Sequence, residues 1–142
     1  MMGAENHQPA TEGDFATRKA AALRAYYEWM PIREAKAGAM KEAINRSFHF
    51  GDLASLHMVE TRLTARAEQM DFANIPKTAD GRRDIAAFEA QRQEPSRDLL
   101  GEGQRRWLGE AMSQSKGAGR PWQILGNQVV MARVKGPNIE QM

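Results

Sequence analysis

The stretch FHFGDLASLHMVETR, residues 48–62, determines how the rest of the chain is arranged. A Gly-containing two-residue connection between strand-forming runs is typical of a β-hairpin, so this stretch predicts a turn at Gly51-Asp52 followed by a second strand over Leu53–Thr61. The second run carries apolar residues on both of its faces, which indicates an inner strand covered on two sides. It ends in Glu60-Thr61-Arg62. Ligands of open α/β sheets usually bind beyond the carboxyl ends of such strands.

Size and composition are typical of one globular domain. The chain has 142 residues, of which 42% are hydrophobic and 27% are charged. Its 20 Lys and Arg residues are interleaved with 18 Asp and Glu residues, so the formal net charge is only +2. Proteins that bind nucleic acid usually concentrate their basic residues on one face. We therefore expect no nucleic-acid partner.

Neither membrane insertion nor thiol chemistry is expected. The chain contains no cysteine, which excludes disulfides and zinc-thiolate sites. No apolar run approaches the roughly 20 residues of a membrane span. The N-terminal residues MMGAENHQPATEGD lack the basic and hydrophobic regions of a signal peptide. As written, the sequence predicts a cytoplasmic chain with no membrane partner.

Hydrophobic spacing and cap residues predict three helices and one further strand around the hairpin. In chain order the elements are a helix over Phe15–Trp29 capped by Asp14, the first strand over Ile44–Phe50, the strand over Leu53–Thr61, a helix over Arg83–Gln93 capped by Asp80, a helix over Leu99–Ser115, and a strand over Trp122–Val134. The order strand, helix, strand makes the second and last strands parallel. The predicted fold class is α/β, with a mixed sheet of about three strands packed by two substantial helices. Core packing is the simplest interpretation of the Trp107 and Trp122 pair and of the Tyr26, Tyr27 and Trp29 cluster. The Arg83–Gln93 helix can bury little. The Leu99–Ser115 helix has a stripe on one side that consists of Leu100, Gln104, Trp107, Leu108, Ala111 and Met112.

Five short stretches carry a resemblance to a known family. They are GAENHQP at 3–9, AYYEWMPIR at 25–33, RSFHFGDLASLHMVETR at 46–62, LLGEGQRRWL at 99–108 and WQILGNQVVM at 122–131. In this order and spacing they resemble PhoD-like alkaline phosphatases, which are secreted metal-dependent phosphomonoesterases and phosphodiesterases. The resemblance implies that the chain is the central part of a four-layer metallophosphatase-type domain.

The resemblance also implies which parts are missing. In that family the metal cage comes from a DDHE-type segment and a GD-x-H-type segment, and this sequence contains neither motif. We therefore expect no cofactor for this chain, whereas longer relatives would bind Fe and Ca and be exported. The expected organisation is one partial domain over residues 1–142, with an irregular head at 1–13, a core at 14–134 and a tail at 135–142.

Few residues are candidates for a functional site. Glu60 and Arg62 lie two apart on a strand and share a face, so they form either the rim of a phosphate pocket, with Arg62 as a bidentate anchor, or a structural ion pair. The family usually carries Asp where this chain has Glu60. The simplest interpretation of His57 is a core or edge histidine whose ring nitrogens have hydrogen-bond partners. His49 and His57 are not tightly juxtaposed by sequence alone. Activity with stoichiometric metal would point to His49, His57 and Glu60 as an unrecognised metal site.

Two functions from different classes remain open. One is a phosphoester hydrolase that acts on its substrate only when the domain is completed, so that the isolated chain is inactive. The other is a non-catalytic interaction module that forms a homo-oligomer or pairs with a complementing chain. Such a module would use sheet edges and faces that flanking strands would otherwise cover.

Overall fold

A computed structural model describes residues 7–35 and 42–131 of the chain. Its helices are α1 (Pro9–Glu12), α2 (Phe15–Trp29), α3 (Ile85–Arg92) and α4 (Gly101–Gly117), with a 3-10 turn at Phe72–Asn74. Its strands are β1 (Arg46–Phe50), β2 (Ala54–Met58) and β3 (Trp122–Gly126). The described part of the chain therefore has the α/β character that the sequence predicts.

The three strands form one mixed sheet in the order β1-β2-β3. β1 and β2 pair antiparallel as a hairpin, and β2 and β3 pair in parallel. Both pairings, and the central place of β2, confirm the prediction. The hairpin connection is one residue longer than predicted, because Leu53 lies in the turn and pairing resumes at Ala54. Gly51 has a φ of 54° in this turn, a conformation that residues with a Cβ rarely adopt.

The register divides the side chains of the sheet between two faces of opposite character. Successive residues of a strand point to opposite sides, so the partners Phe48 and Leu56 lie on one face while Ser47 and His57 lie on the other. The face that we call apolar carries Phe48, Phe50, Leu56, Met58, Trp122 and Ile124, together with the small Ala54 and with Arg46 at one end. The face that we call polar carries Ser47, His49, Ser55, His57 and Gln123, together with Leu125.

Helix α4 covers the polar face. Its predicted stripe is partly buried in the structure and comprises Leu100, Gln104, Trp107, Leu108, Ala111 and Met112. The stripe continues to Ser115, which is buried and whose Oγ lies 2.6 Å from the Oγ of Ser55 on β2. Contacts between helices and the sheet are made mainly by α4, with β2 and β3. Of the two helices predicted to pack on the sheet, α4 does so.

Helix α2 is tied to other parts of the chain. Its predicted cap is confirmed, since the Asp14 carboxylate accepts a hydrogen bond from the Thr17 amide at 2.8 Å. The Lys19 ammonium pairs with Glu42 at 3.2 Å and donates to the Leu63 carbonyl at 3.5 Å. Through Lys19, α2 therefore reaches the segment that follows the central strand.

The start of α4 is stabilised by a carboxylate that precedes it. Oδ1 of Asp98 accepts hydrogen bonds from the amides of Leu99, Leu100 and Gly101 at 2.7 to 3.1 Å. Its Oδ2 accepts from Arg105 at 2.8 Å. These partners, the Gly101 amide first, hold the pKa of Asp98 below its usual value. Helix N-termini leave four amides without intrahelical partners, and Asp98 satisfies two of them here, those of Leu100 and Gly101.

Several predicted boundaries are wrong. Asp84 rather than Asp80 caps α3, with its Oδ1 2.9 Å from the Ala87 amide. β3 ends at Gly126 rather than at Val134, and residues 132–142, including the predicted tail, lie outside the described residues. Residues 9–12 of the predicted irregular head form one helical turn.

Three aromatic residues predicted in the core are exposed. Trp29 is 84% exposed, Trp122 is 64% exposed and Tyr26 is 37% exposed. The prediction was wrong for Trp122 because the apolar face of the sheet is open within the described part of the chain. The largest fully buried side chains are instead polar ones: His57, Glu60, Thr61, Ser55 and Ser115.

Candidate functional site at the carboxyl end of the central strand

The chain that leaves β2 folds around the carboxylate of Glu60, which is 1% exposed. The two carboxylate oxygens accept hydrogen bonds from the amides of Arg62, Leu63 and Thr64 at 2.6 to 3.0 Å. The Thr64 hydroxyl donates a further bond at 2.9 Å. Successive backbone amides that converge in this way form an anion-binding nest. Because hydrogen bonds to an ionised acceptor are stronger than neutral ones, the nest offsets the cost of burying the carboxylate.

Two glutamine side chains fix the backbone on either side of this nest. Gln104 of α4 accepts a hydrogen bond from the Glu60 amide at 2.6 Å and donates one to the Glu60 carbonyl at 2.7 Å. Gln128, two residues beyond β3, accepts hydrogen bonds from the Thr61 hydroxyl at 3.0 Å and the Thr61 amide at 3.4 Å. We call Glu60, Thr61, Arg62, Gln104 and Gln128 the strand-end cluster.

Arg62 is an exposed member of the strand-end cluster. The predicted ion pair with Glu60 is wrong, since Glu60 receives the backbone amide of Arg62 and not its guanidinium. Within residues 7–35 and 42–131, no hydrogen bond or ion pair holds the Arg62 side chain. The structure therefore fixes the backbone of Arg62, and among the described residues nothing occupies its five N–H donors beyond the carboxyl end of the central strand.

The histidines of the sheet bond to separate partners. Nδ1 of His57 lies 2.8 Å from Ser47 Oγ, and Nε2 lies 3.2 Å from Gln123 Oε1. Nδ1 of His49 lies 2.8 Å from Ser55 Oγ. His57 is completely buried, and both of its ring nitrogens have partners. The interpretation of His57 as a satisfied core histidine is confirmed.

The described residues do not fit a bound metal. Among them, no group of three or more His, Cys, Asp or Glu side chains could hold a metal ion. Both oxygens of Glu60 are already occupied by amides, and the rings of His49 and His57 are held by serine and glutamine side chains. A protein metal site needs several convergent ligands with oriented partners. The described residues thus offer no cluster of His, Cys, Asp or Glu side chains that could hold a metal ion by itself.

Sequence reasoning missed three residues of the strand-end cluster. Thr61, Gln104 and Gln128 carry no motif that marks them. A signal for Gln104 was present, because it is the polar member of the apolar stripe of α4, between Leu100 and Trp107. A polar residue at such a position is buried with a partner far more often than without one.

Comparison with known proteins identifies the class to which this mixed sheet and its polar strand end belong. The model of the PhoD-like phosphatase family matches residues 1–142, and the chain belongs to this family. The resemblance found in the sequence is confirmed.

One curated relative shows the extent of the match. The chain is 30% identical over 120 residues to a protein named alkaline phosphatase D from Bacillus subtilis (strain 168). The aligned region takes in 84% of this chain but only 18% of that protein, so the chain spans less than a fifth of the length of the relative. No solved structure matches the chain at a significant level. The described helices include none that is both long and apolar enough to cross a membrane.

Proposed function

We propose that the chain supplies the central strand and one wall of the substrate site to a phosphoester hydrolase of the PhoD-like family. The observation that carries this proposal is the nest around Glu60, which immobilises the backbone of Arg62 while its guanidinium faces solvent. Family membership supports the same assignment. In this proposal Arg62 binds the phosphoryl group of the substrate, and Glu60 is its positioning residue.

The chemistry of Arg62 suits this role. A guanidinium presents its donors in a planar fork that matches two oxygens of a phosphate, and it stays charged at any physiological pH. Hydrogen bonds to an anion gain most when the donor is already oriented. The amides of residues 62–64 point at Glu60, so the Arg62 side chain, rather than the backbone, is the group that meets the substrate.

The remaining parts of the site come, in this proposal, from residues beyond the described ranges. Phosphoester hydrolysis in metal-dependent enzymes uses metal ions to polarise the phosphoryl group, and the described residues do not fit one. We therefore propose that the isolated chain does not hydrolyse phosphoesters. We further propose that a second sheet covers the apolar face, giving the four-layer arrangement of a complete domain.

The first experiment is an activity assay of the purified chain on a chromogenic phosphomonoester and phosphodiester, with Fe and Ca supplied and bound metal measured in the same sample. The expected result is no turnover and no stoichiometric metal. Turnover with stoichiometric metal would contradict the proposal and would direct attention to His49, His57 and Glu60 as ligands.

The role of Arg62 is tested by NMR titration of the chain with inorganic phosphate. The amides of residues 62–64 are expected to shift in the wild type and to lose most of that shift in Arg62→Gln. The control is Arg106→Gln, an exposed arginine of α4, which should leave the shifts unchanged. If both variants behave alike, Arg62 is not the phosphate anchor.

A second candidate function, self-association, is favoured by the apolar face. Phe50 is 55% exposed and Ile124 is 49% exposed, and β1 and β3 are the edges of the sheet. Large contiguous apolar surfaces usually mark a partner site. In this alternative, two copies of the chain bury this face against each other.

Sedimentation at several concentrations tests the alternative. Ile124→Glu lies on the apolar face and should shift the chain to monomer. Val130→Glu is a matched control, because Val130 is 77% exposed and lies beyond β3. A wild-type chain that stays monomeric throughout would contradict self-association.

A further inference from the structure

A concave surface lies apart from the strand-end cluster, between the segment that follows β2, helix α3 and the residues before α4. Its volume is about 450 Å³, which lies within the range of small-molecule sites. The lining residues that matter here are Arg66, Arg92, Arg97, Met70, Phe88 and Leu99. We call this surface the arginine groove.

Two hydrogen bonds join the segments that form the walls of the arginine groove. The Ala67 amide donates to the Asp98 carbonyl at 2.7 Å. The guanidinium of Arg97 donates to the Glu68 carbonyl at 2.6 Å. Both bonds join the segment after β2 to the segment before α4, and Asp98 also caps α4. The groove is therefore anchored to the helix that covers the sheet.

Charges around the groove are only partly balanced. Arg92 pairs with Glu89 at 2.6 Å, and Asp98 pairs with Arg105 at 2.8 Å. Arg66 instead donates to the neutral amide of Gln69, and Arg97 to a backbone carbonyl. Within the described part of the chain, no ion pair compensates Arg66 or Arg97. The groove thus carries two positive charges for which residues 7–35 and 42–131 supply no carboxylate partner.

Apolar side chains lie beside these charges. Phe88 is 4% exposed and contributes its ring to the groove, together with Met70 and Leu99. The sequence predicts that α3 buries little, yet Phe88 is among the most buried apolar residues described. A surface that combines two unpaired guanidinium groups with an aromatic floor suits a molecule that is anionic at one end and apolar at the other.

We propose that the arginine groove binds a small organic anion. Its phosphate or carboxylate group is held by Arg66 and Arg97, and its aromatic or aliphatic body lies against Phe88. This inference does not rest on the proposed function, since neither Arg62 nor a metal takes part. Its ligand can be an ester that the complete domain acts on or a separate metabolite, and both share the chemistry that the groove recognises.

Calorimetric titration of the full 142-residue chain tests the proposal with four probes: phenyl phosphate, benzoate, inorganic phosphate and phenol. Phenyl phosphate should bind about tenfold more tightly than inorganic phosphate, because burying an aromatic ring is worth at least that factor. Phenol should bind more weakly than either. Benzoate binding as tightly as phenyl phosphate would identify the ligand as any organic anion, whereas a preference for phenyl phosphate would identify an organic phosphate.

Substitutions localise the binding. Arg66→Gln should weaken phenyl phosphate binding about tenfold, as expected for loss of one charge-assisted hydrogen bond. Arg92→Gln should weaken it less, because the charge of Arg92 is already paired with Glu89. The matched control is Arg24→Gln on α2, which removes an arginine that is also paired, with Glu28 at 2.7 Å, and lies outside the groove.

Mapping by NMR keeps the test independent of any variant. Phenyl phosphate should shift the amides of Phe88, Leu99 and residues 66–70 in the wild-type chain. The proposal is overturned if phenyl phosphate shows no saturable binding, if it binds no more tightly than inorganic phosphate, or if Arg66→Gln and Arg24→Gln lose affinity equally. Inactivity of the chain toward phosphoesters would leave these readouts unchanged.

Discussion

On the polar face of the sheet the serine and histidine side chains find hydrogen-bond partners within this chain, whereas most of the large side chains on the apolar face are exposed. Ser55, His57 and Ser115 are buried and hydrogen-bonded under α4. On the opposite side, Trp122 and Ile124 of β3 are exposed. The face with the larger apolar side chains is thus the more exposed one, and the face with serine and histidine is the one that α4 covers.

The difference between the two faces indicates which interactions specify the fold of this chain. No buried side-chain nitrogen or oxygen in the described residues lacks a hydrogen-bond partner. A satisfied polar network fixes one arrangement of helix on sheet, because a shifted helix would leave its polar groups unpaired. The apolar face is less selective, since hydrophobic contact has no direction.

His57→Leu tests whether the polar face contributes more to stability than the apolar face, and it should have the largest effect. The substitution removes the partner of Ser47 and Gln123 and should lower the free energy of unfolding by about 2–4 kcal/mol, from two polar groups left with poorer partners. Met58→Leu, the next residue in the same strand but on the open face, should cost under ~1 kcal/mol because volume is conserved. Urea denaturation of both variants measures the difference. Equal losses would mean that the two faces contribute alike.

Gly101→Ala tests how firmly α4 is seated. Gly101 has a φ of 75°, and an added Cβ would lie 2.7 Å from the Cβ of Ala65. Backbone strain and this contact together should lower the free energy of unfolding by about 1–3 kcal/mol. Gly103→Ala is the matched control, because nothing lies within 4 Å of its added Cβ, and it should stabilise the helix slightly. A Gly101→Ala variant as stable as wild type would contradict the tight approach of α4 to residue 65.

Gly126→Ala tests whether the apolar face of the sheet is exposed in solution. An added Cβ would overlap Sδ of Met58, its parallel partner in β2. Met58 is partly exposed and flexible, so it can turn outward, and the cost in the isolated chain should stay below about 1 kcal/mol. A cost of several kcal/mol in thermal unfolding would show that the apolar face is covered in solution, as it would be in an oligomer.

The smallest expected effect is on the pH dependence of thermal stability. The amides at the start of α4 lower the pKa of Asp98 in the folded protein. The stability that the ionised Asp98 adds is therefore present above the unfolded-state pKa and is lost as pH falls through the folded-state pKa. Below pH ~4, the midpoint temperature of thermal unfolding should fall more steeply in wild type than in Asp98→Asn. The asparagine oxygen can still accept from the same amides but does not titrate. Parallel pH profiles for the two proteins would contradict this role for Asp98.

Sequence was sufficient for the elements that depend on local pattern. The Gly51 turn, the parallel pairing of β2 with β3 and the stripe on α4 follow from periodicity and connection length, and all three are present. The Glu60 nest was not predictable, because it depends on the backbone conformation of residues 60–64 rather than on any side-chain pattern. Trp122 was misplaced for a related reason, since an apolar run does not reveal which of its faces has a cover.

The two hydrogen bonds between Gln104 and Glu60 have a mechanical consequence. The side-chain amide of Gln104 donates to the carbonyl of Glu60 and accepts from its amide. A neighbouring strand would make the same two bonds to this residue, but here they come from a helix. Sliding α4 along its axis by one residue, about 1.5 Å, would break both bonds at once. The helix and the strand are thus locked in register, and any force applied to α4 is transmitted directly to the backbone that carries Arg62.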